Sequence, residues 1–210
     1  MSEIVFDELR HEYTVGGIVR PSVTQILKAA GLIEEDWYSV EARDRGKAVH
    51  IAAHYADEHD LDISWRETSP YAGYLAAWEK FQTDAGFIPE LVEYRVFNRA
   101  FGYCGTLDRT GILEAETVTN AVVDLKTGGV EEWHRVQLAA YCAAFERPMR
   151  FRRINVYLNP DGTYRVREYA AGSFRADFAV FAAAVAIWNF KNGGHVNGNG
   201  NRAAGQPTAA

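Results

Sequence analysis

Three strand-like runs follow one another in the middle of the chain, and they constrain its fold more than any other feature. The runs occupy residues 91–97, 103–112 and 121–125, with short breaks between them. Runs with this spacing are typical of consecutive antiparallel strands. Because helical patterns lie on both sides of the runs, the sequence predicts a mixed α/β domain with a central sheet flanked by helices.

The N-terminal segment is predicted to form two short strands and a short helix. The strands lie within residues 4–19, with Gly16-Gly17 at the turn between them. Ser22 and Gln25 are spaced as a capping box, in which each side chain accepts a hydrogen bond from the backbone of the other residue. The helix that starts there is expected to end at Gly31.

Two longer helices are predicted next. The second helix covers residues 39–58, and its apolar face is made of Val40, Ala48, Ile51, Ala52 and Tyr55. The third helix is expected to begin at Ser69-Pro70, because serine caps helices and proline suits their first position. Gly86 is expected to end it.

A helix, a hairpin and a last helix are predicted after the three strands. The helices cover residues 131–145 and 174–190, and the hairpin joins 151–158 to 164–169 through the turn sequence Asn-Pro-Asp-Gly. We therefore expect one domain over residues 1–190. The remainder, 191–210, is rich in glycine, asparagine, alanine and proline and is expected to form a flexible tail.

Composition excludes several classes of protein. The 210 residues are 48% hydrophobic, which is enough for a core, and the net charge of -6 excludes a uniformly basic coat protein. Cys104 and Cys142 cannot build a disulfide framework, which favours a reducing, cytoplasmic setting. We find no signal-type segment, and no apolar run is expected to span a membrane.

Acidic residues inside apolar runs are the first candidates for chemistry. Asp108 lies in the second strand-like run, and Asp124 and Lys126 lie at the end of the third. Strand alternation places Asp124 and Lys126 on one face, where burial is costly unless partners are present. If the strands pair, two carboxylates and a lysine meet, which suits Mg²⁺ and a phosphate group. A surface Asp–Lys pair is the alternative.

Three further sets of residues are weaker signals on their own. His50 and His54 have helical metal-ligand spacing, but Ile51 stands where a zinc protease needs its glutamate. Gln137 and Tyr141 share a helix face, and Glu93 lies in the first strand. Structural roles would explain each of these. Arginines near residue 150 are candidates for a phosphate-contacting rim or a solvated face, and they include Arg147, Arg150, Arg152 and Arg153.

The order of these residues resembles the PD-(D/E)XK nuclease superfamily. Gly-x-x-x-His precedes a strand glutamate, then Gly-x-x-Asp, Asp-x-Lys and Gln-x-x-x-Tyr follow, which is similar to the RecB-type exonuclease branch. This branch includes mitochondrial genome maintenance exonucleases and related phage nucleases. The resemblance covers residues 18–145, and its strongest element is the segment 124–128. It implies a restriction-endonuclease-like core with a mixed sheet.

The resemblance also implies roles for single residues. His50, Asp108, Asp124 and the carbonyl of Leu125 would bind the metal, and Lys126 would position the attacking water. Glu93 would help to bind a second metal or support the lysine. Gln137 and Tyr141 would contact the nucleic-acid backbone. Leu107 replaces the proline of the superfamily name, and the branch tolerates this change.

The implied activity is metal-dependent hydrolysis of DNA phosphodiester bonds, most simply by an exonuclease in recombination, repair or phage DNA processing. The cofactor would be Mg²⁺ or Mn²⁺. Two cysteines are too few for the four-cysteine iron–sulfur cluster of some relatives, and the absence of a P-loop argues against a bound nucleotide. DNA and a helicase or recombination protein are the expected partners. The alternatives are an endonuclease, an RNA-directed nuclease and a catalytically silent binding module.

Overall fold

The computed structural model describes residues 3–34, 39–114 and 118–193, which form two sheets and six α-helices. The strands are β1 (Ile4–Asp7), β2 (Glu12–Val15), β3 (Ile18–Arg20), β4 (Phe87–Asn98), β5 (Tyr103–Glu114), β6 (Val118–Lys126), β7 (Arg152–Leu158) and β8 (Tyr164–Tyr169). The helices are α1 (Val23–Ala29), α2 (Val40–Asp57), α3 (Ile63–Thr68), α4 (Ala72–Ala85), α5 (Trp133–Cys142) and α6 (Phe174–Lys191).

The larger sheet has five strands in the order β4-β5-β6-β7-β8. All neighbours are antiparallel except β6 and β7, which are parallel and are connected through α5. A parallel pair needs such a crossover, because its connection must return to the starting edge. The predicted mixed α/β fold with a central mixed sheet is therefore confirmed. The smaller sheet is an antiparallel meander of β1, β2 and β3.

Hydrophobic cores cover both faces of the larger sheet. Val122 belongs to the core that includes α1, α5 and α6, while its neighbour Val123 belongs to the core that includes α2 and α4. Strand alternation explains this division, because successive side chains point to opposite faces. The site residues of β6 therefore lie between helices that come from both halves of the chain.

The N-terminal segment contains the predicted capping box and the predicted glycine turn. Ser22 Oγ accepts the Gln25 backbone N–H at 3.1 Å, and Gln25 Oε1 accepts the Ser22 N–H at 2.9 Å, which confirms the capping box. Glycines at positive φ turn the chain at Gly16 and Gly17, as predicted. The segment forms three strands instead of two, because the residues after this turn also pair with β2.

Two helix predictions need correction. In α2, burial falls on Val49, Ala52 and Ala53, whereas Ile51 and Tyr55 of the predicted face are exposed. The reason is that α2 packs on α4 through Val49 and two alanines, while Ile51 faces a cavity on the other side. The third predicted helix begins later, at Ala72, because Ser69 is extended and its hydroxyl caps a turn. The short helix α3 was not predicted.

The last helix corrects the prediction about membrane spans. Residues 171–191 are long enough and, at a mean hydropathy of 1.3, apolar enough to cross a bilayer. The helix instead packs on α1 and α5 and buries Phe174 and Phe181. Its Asp177 forms a buried ion pair with Arg153 at 2.8 Å. These contacts bury one face of α6 against the domain, and its other face, which includes Val180 and Phe190, stays exposed. The predicted tail from 194 onward lies outside the described residues.

Candidate metal centre and cleft

The candidate site lies in a fork where β5 and β6 separate. Their ladder of paired residues ends at Arg109 and Val123. Beyond that point the Asp108 side chain replaces the backbone pairing, because its Oδ2 accepts a hydrogen bond from the Leu125 backbone N–H at 2.7 Å. This bond holds a buried carboxylate at the opening between two strands, which is a position where a ligand could replace backbone pairing.

His50 reaches the fork from α2. Its Nδ1 lies 3.4 Å from Asp108 Oδ2, and its Nε2 lies 3.1 Å from the Leu125 carbonyl oxygen. The helix is fixed beneath the sheet by Val49, Ala52 and Ala53. The structure therefore places His50 beside Asp108 and the Leu125 carbonyl, three of the groups that the sequence resemblance implies as metal ligands.

Glu93 completes a cluster with His50 and Asp108. One ligand atom from each of the three residues lies within 4.8 Å of the other two. Metal–ligand bonds of about 2.0–2.6 Å require spacings of this order between ligands. Loss of hydration and the nearby Asp108 raise the pKa of Glu93 to about 8, although Arg109 opposes the shift. The crowded carboxylates indicate that a cation would be stabilised here.

The backbone at Glu93 is unusual for a strand. Its φ is 46°, a left-handed value that non-glycine residues seldom adopt. Val92 and Tyr94 on either side pair regularly with Arg109 and Leu107 of β5. The distortion is thus confined to the one residue of β4 that joins the cluster. Backbone strain of this kind concentrates at functional sites.

Asp124 lies beside this cluster and has a different set of partners. Its Oδ2 accepts hydrogen bonds from Lys126 Nζ and Asn155 Nδ2, each at 2.7 Å. Burial raises its pKa to about 6, with Asp108 adding to the shift and Lys126 opposing it. The predicted position of Asp124 and Lys126 on one face is correct. The closely spaced ligand group, however, contains Glu93 and not Asp124.

Lys126 is held in place from α5. Its Nζ donates to Gln137 Oε1 at 2.9 Å, and Gln137 Nε2 donates to the Tyr141 hydroxyl at 3.2 Å. The ammonium group also lies 5.0 Å from the centre of the Trp133 ring. Gln137 and Tyr141 are buried, so they orient the lysine from behind. The contacts with the nucleic-acid backbone that the resemblance implies for these two residues stay a prediction.

Gly105 permits this approach of α5 to the sheet. A Cβ atom at Gly105 would lie 2.7 Å from the Tyr141 ring, closer than side-chain atoms pack. Gly105, the glycine of the Gly-x-x-Asp pattern, lies three residues before Asp108 and makes room for the Tyr141 ring. This contact gives the spacing of the pattern a physical cause.

Sequence reasoning missed the polar groups that support the site. Asn155, which pairs with Asp124 across the parallel strands, is fully buried in β7. Arg109 lies behind Glu93 at 3.6 Å, and its Nε binds Asp57 Oδ2 at 2.8 Å. Asn155 could have been found as an amide in an apolar run. The Arg109–Asp57 pair joins a strand to the end of a distant helix and left no local signal.

Arg147 and Arg150 lie away from the cluster. They belong to the turn before β7, and the start of that strand pairs with Ala121 at the opposite end of the parallel pair from Lys126. The structure therefore does not bring these two arginines to the carboxylates. Their predicted contact with nucleic acid stays a prediction.

Two cavities adjoin His50. The larger one, of about 630 Å³, extends from His50 and Glu93 to the smaller sheet, where Phe6 and Tyr13 line it. The smaller one, of about 300 Å³, lies along Leu125 and Lys126. We call the two cavities together the cleft; both have Thr24 and His50 in their linings, so a ligand in either one lies beside the candidate centre.

His134, a buried residue of α5, provides a test of the electrostatics near Lys126. The Glu131 backbone N–H donates to His134 Nδ1 at 3.3 Å, so this ring nitrogen must carry no proton. Burial is the largest cause that lowers the pKa of His134, and the charge of Lys126 lowers it further. The unfolded imidazole gains a proton below about pH 6.5, but the folded one stays neutral. Urea unfolding should therefore show wild type losing about 1.4 kcal/mol per pH unit relative to His134→Gln below that pH. A pH-independent difference would contradict a neutral His134.

Comparison with known proteins adds limited information. No family model matches the sequence, and no curated protein matches it. A crystal structure of a provisionally described exonuclease from Eubacterium rectale has 13% identity and a TM-score of 0.48, over 88% of this chain and 82% of that chain. The structure of SSO0001 has 16% identity and a TM-score of 0.30, over 79% and 84%. The functional interpretation therefore depends on the site.

Proposed function

We propose that this chain is a divalent-metal-dependent nuclease that hydrolyses DNA phosphodiester bonds. The observation that carries the proposal is the convergence of His50, Glu93 and Asp108, with ligand atoms within 4.8 Å of one another, in a fork that also contains Lys126. An exonucleolytic mode, a role in recombination, repair or phage DNA processing, and a helicase partner are proposed from the sequence resemblance alone.

The donor set fits Mg²⁺ or Mn²⁺. Carboxylate and carbonyl oxygens are the ligands that these ions prefer, and a neutral imidazole can join them. Glu93, Asp108 and the Leu125 carbonyl would supply the oxygens, and His50 would supply the nitrogen. A bound divalent ion would stabilise negative charge on the phosphate and make water a better nucleophile.

Lys126 is the residue best placed to handle the attacking water. An ammonium group has three N–H donors, and Asp124 and Gln137 accept two of them. The third can orient a water molecule or hold charge on a phosphate oxygen. Asp124 accepts a hydrogen bond from the lysine ammonium group, and Asn155 keeps the Asp124 carboxylate fixed.

A cleavage assay with end-labelled single-stranded and duplex DNA tests the proposal. Wild-type protein should cleave with Mg²⁺ or Mn²⁺ and not with EDTA, and the product ladder separates exonuclease from endonuclease action. Lys126→Gln should lower kcat by about 10²–10⁴-fold, the range for a positioned proton-handling group, while Mn²⁺ affinity is retained.

Lys80→Gln, on the exposed surface of α4, is the matched control and should cleave as wild type does. Circular dichroism would verify that each variant is folded. A folded wild-type protein that cleaves neither DNA nor RNA with either metal would contradict the proposed function. Cleavage that persists in EDTA would contradict the metal dependence.

A further inference from the structure

The smaller cavity beside His50 has an unusual charge. Among the described residues, its lining contains four cationic side chains, Lys28, Arg43, Arg45 and Lys126, and no aspartate or glutamate. The chain as a whole carries a net charge of -6. A concave site with one sign of charge concentrates its potential, so this cavity attracts anions even though the protein is acidic.

The larger cavity on the other side of His50 differs in this respect. Its lining includes Glu8 and Glu93 together with Lys47 and Arg95. Thr24 and His50 line both cavities and mark the boundary between them. The two arms of the cleft are therefore chemically distinct, and the cationic arm is the one that adjoins Lys126.

Arg45 is fixed in the wall of the cationic cavity. One of its NH2 hydrogens is donated to the Thr127 carbonyl at 3.2 Å, and its guanidinium lies 5.7 Å from the centre of the Tyr74 ring. Its Nε is buried with no hydrogen-bond partner among the described residues. An anchored guanidinium offers preorganised donors, and arginine is well matched to phosphate geometry.

The remaining walls leave room for a nucleotide. Gly128 and Gly129 follow Lys126 directly, and a Cβ added at either would meet nothing within 4 Å. Trp133 supplies a flat apolar surface on the side of Lys126. The volume of about 300 Å³ reaches the lower end of the range for small-ligand sites.

We propose that this cavity binds the backbone phosphate of the nucleotide next to the bond that is cleaved, with Arg43 and Arg45 as its principal cations. The inference rests on the proposed nuclease function for the identity of the strand. It does not rest on catalysis, because a phosphate can bind here without a metal. It gives the strand a path beside His50, with the cationic arm on one side and the larger cavity on the other.

The test is the salt dependence of DNA binding in EDTA, where the proposed activity is silent. A fluorescein-labelled single-stranded 12-mer would be titrated by anisotropy from 20 to 200 mM KCl. Each phosphate contact contributes about 0.7 to the slope of log affinity against log salt for single strands. The double variant Arg43→Gln with Arg45→Gln should therefore reduce the magnitude of this negative slope by about 1.4. It should also weaken binding by about ten- to a hundredfold at low salt.

Arg43→Gln alone should lower the slope by about 0.7, and it guards against a folding defect because Arg43 is exposed. Arg175→Gln, an exposed arginine of α6 outside the described cavities, is the control and should leave the slope unchanged. An unchanged slope in the Arg43 and Arg45 variants, or no wild-type binding at 20 mM salt, would overturn the subsite.

Failure of the subsite and failure of the proposed function give different results. Wild type that cleaves DNA with Mg²⁺ while the Arg43 and Arg45 variants bind normally would reject the subsite and keep the nuclease. Variant-sensitive binding in EDTA without cleavage under any metal condition would keep the binding of a backbone phosphate by the cavity and reject the nuclease.

Discussion

Asp108→Asn is expected to lower the rate of metal-dependent DNA cleavage by about 10³-fold or more, because a divalent ion contributes several kcal/mol to transition-state stabilisation. Asp108 joins the His50 side chain of α2 to the β6 backbone and belongs to the ligand group with Glu93. It caps the Leu125 N–H at 2.7 Å and lies 3.4 Å from His50. Asparagine keeps the shape and the acceptor but removes the charge that a cation needs.

Single-turnover cleavage of end-labelled DNA at saturating Mn²⁺ is the appropriate measurement for this variant. Asp60→Asn, at an exposed position just after α2, is the matched control and should behave as wild type. Thermal unfolding would establish that Asp108→Asn retains the fold. If the folded variant cleaves at the wild-type rate, Asp108 does not belong to the catalytic centre.

Arg109→Met is expected to lower the free energy of unfolding by about 3–5 kcal/mol, the usual cost of leaving one member of a buried ion pair unpaired. Arg109 and Asp57 are 0% and 1% exposed and are joined at 2.8 Å. The Asp57 carboxylate also accepts hydrogen bonds from Trp78 and Gln82, at 2.9 and 2.8 Å. Without Arg109 a buried negative charge would remain with only these neutral partners.

Urea unfolding at pH 7 measures this effect, and a double variant separates its causes. Arg109→Met with Asp57→Leu should be less destabilised than the sum of the single changes, because no lone charge is left. Arg152→Met removes a more exposed pair with Glu168 and should cost about 1 kcal/mol or less. If Arg109→Met lowers the free energy of unfolding by less than about 1 kcal/mol, the Arg109–Asp57 pair does not make the expected contribution to stability.

The elements predicted best from the sequence are those with local causes. The capping box at Ser22 and Gln25, the left-handed glycine at Gly86 and the hairpin around Asp161 all depend on neighbours within a few residues. The three central strands were found because apolar, β-branched composition marks them. Their ends extended by several residues where pairing with neighbours continued, which a run of residue types does not report.

The sequence singled out the residues of the candidate site, Asp124 among the implied ligands, and could not give their arrangement. Asp108 and Lys126 were selected as polar residues in apolar runs, whereas the roles of His50 and Glu93 came from the family resemblance. Which carboxylates share a ligand group depends on where β5 and β6 part and on the left-handed backbone of Glu93. Both are consequences of the folded sheet, and a glutamate gives no local signal for a positive φ.

The buried Arg109–Asp57 pair behind Glu93 could not be predicted from the sequence, because its two residues meet only in the folded structure. Asp57 lies at the end of α2 and Arg109 in β5, so their pairing depends on the packing of α2 and α4 against the sheet. Arg147 and Arg150 directly precede β7 in sequence, and the strand pairing places them at the end of β7 away from Lys126. Residue type predicts what a side chain can do, and topology decides what it can reach.

The central claim is that His50, Glu93 and Asp108 hold one divalent cation. Anomalous scattering from a crystal of the wild-type protein grown with Mn²⁺ tests this claim most directly. The account predicts a manganese peak within bonding distance of all three side chains and of the Leu125 carbonyl, and loss of that peak in Asp108→Asn. A peak elsewhere, or none at saturating Mn²⁺, would contradict the account.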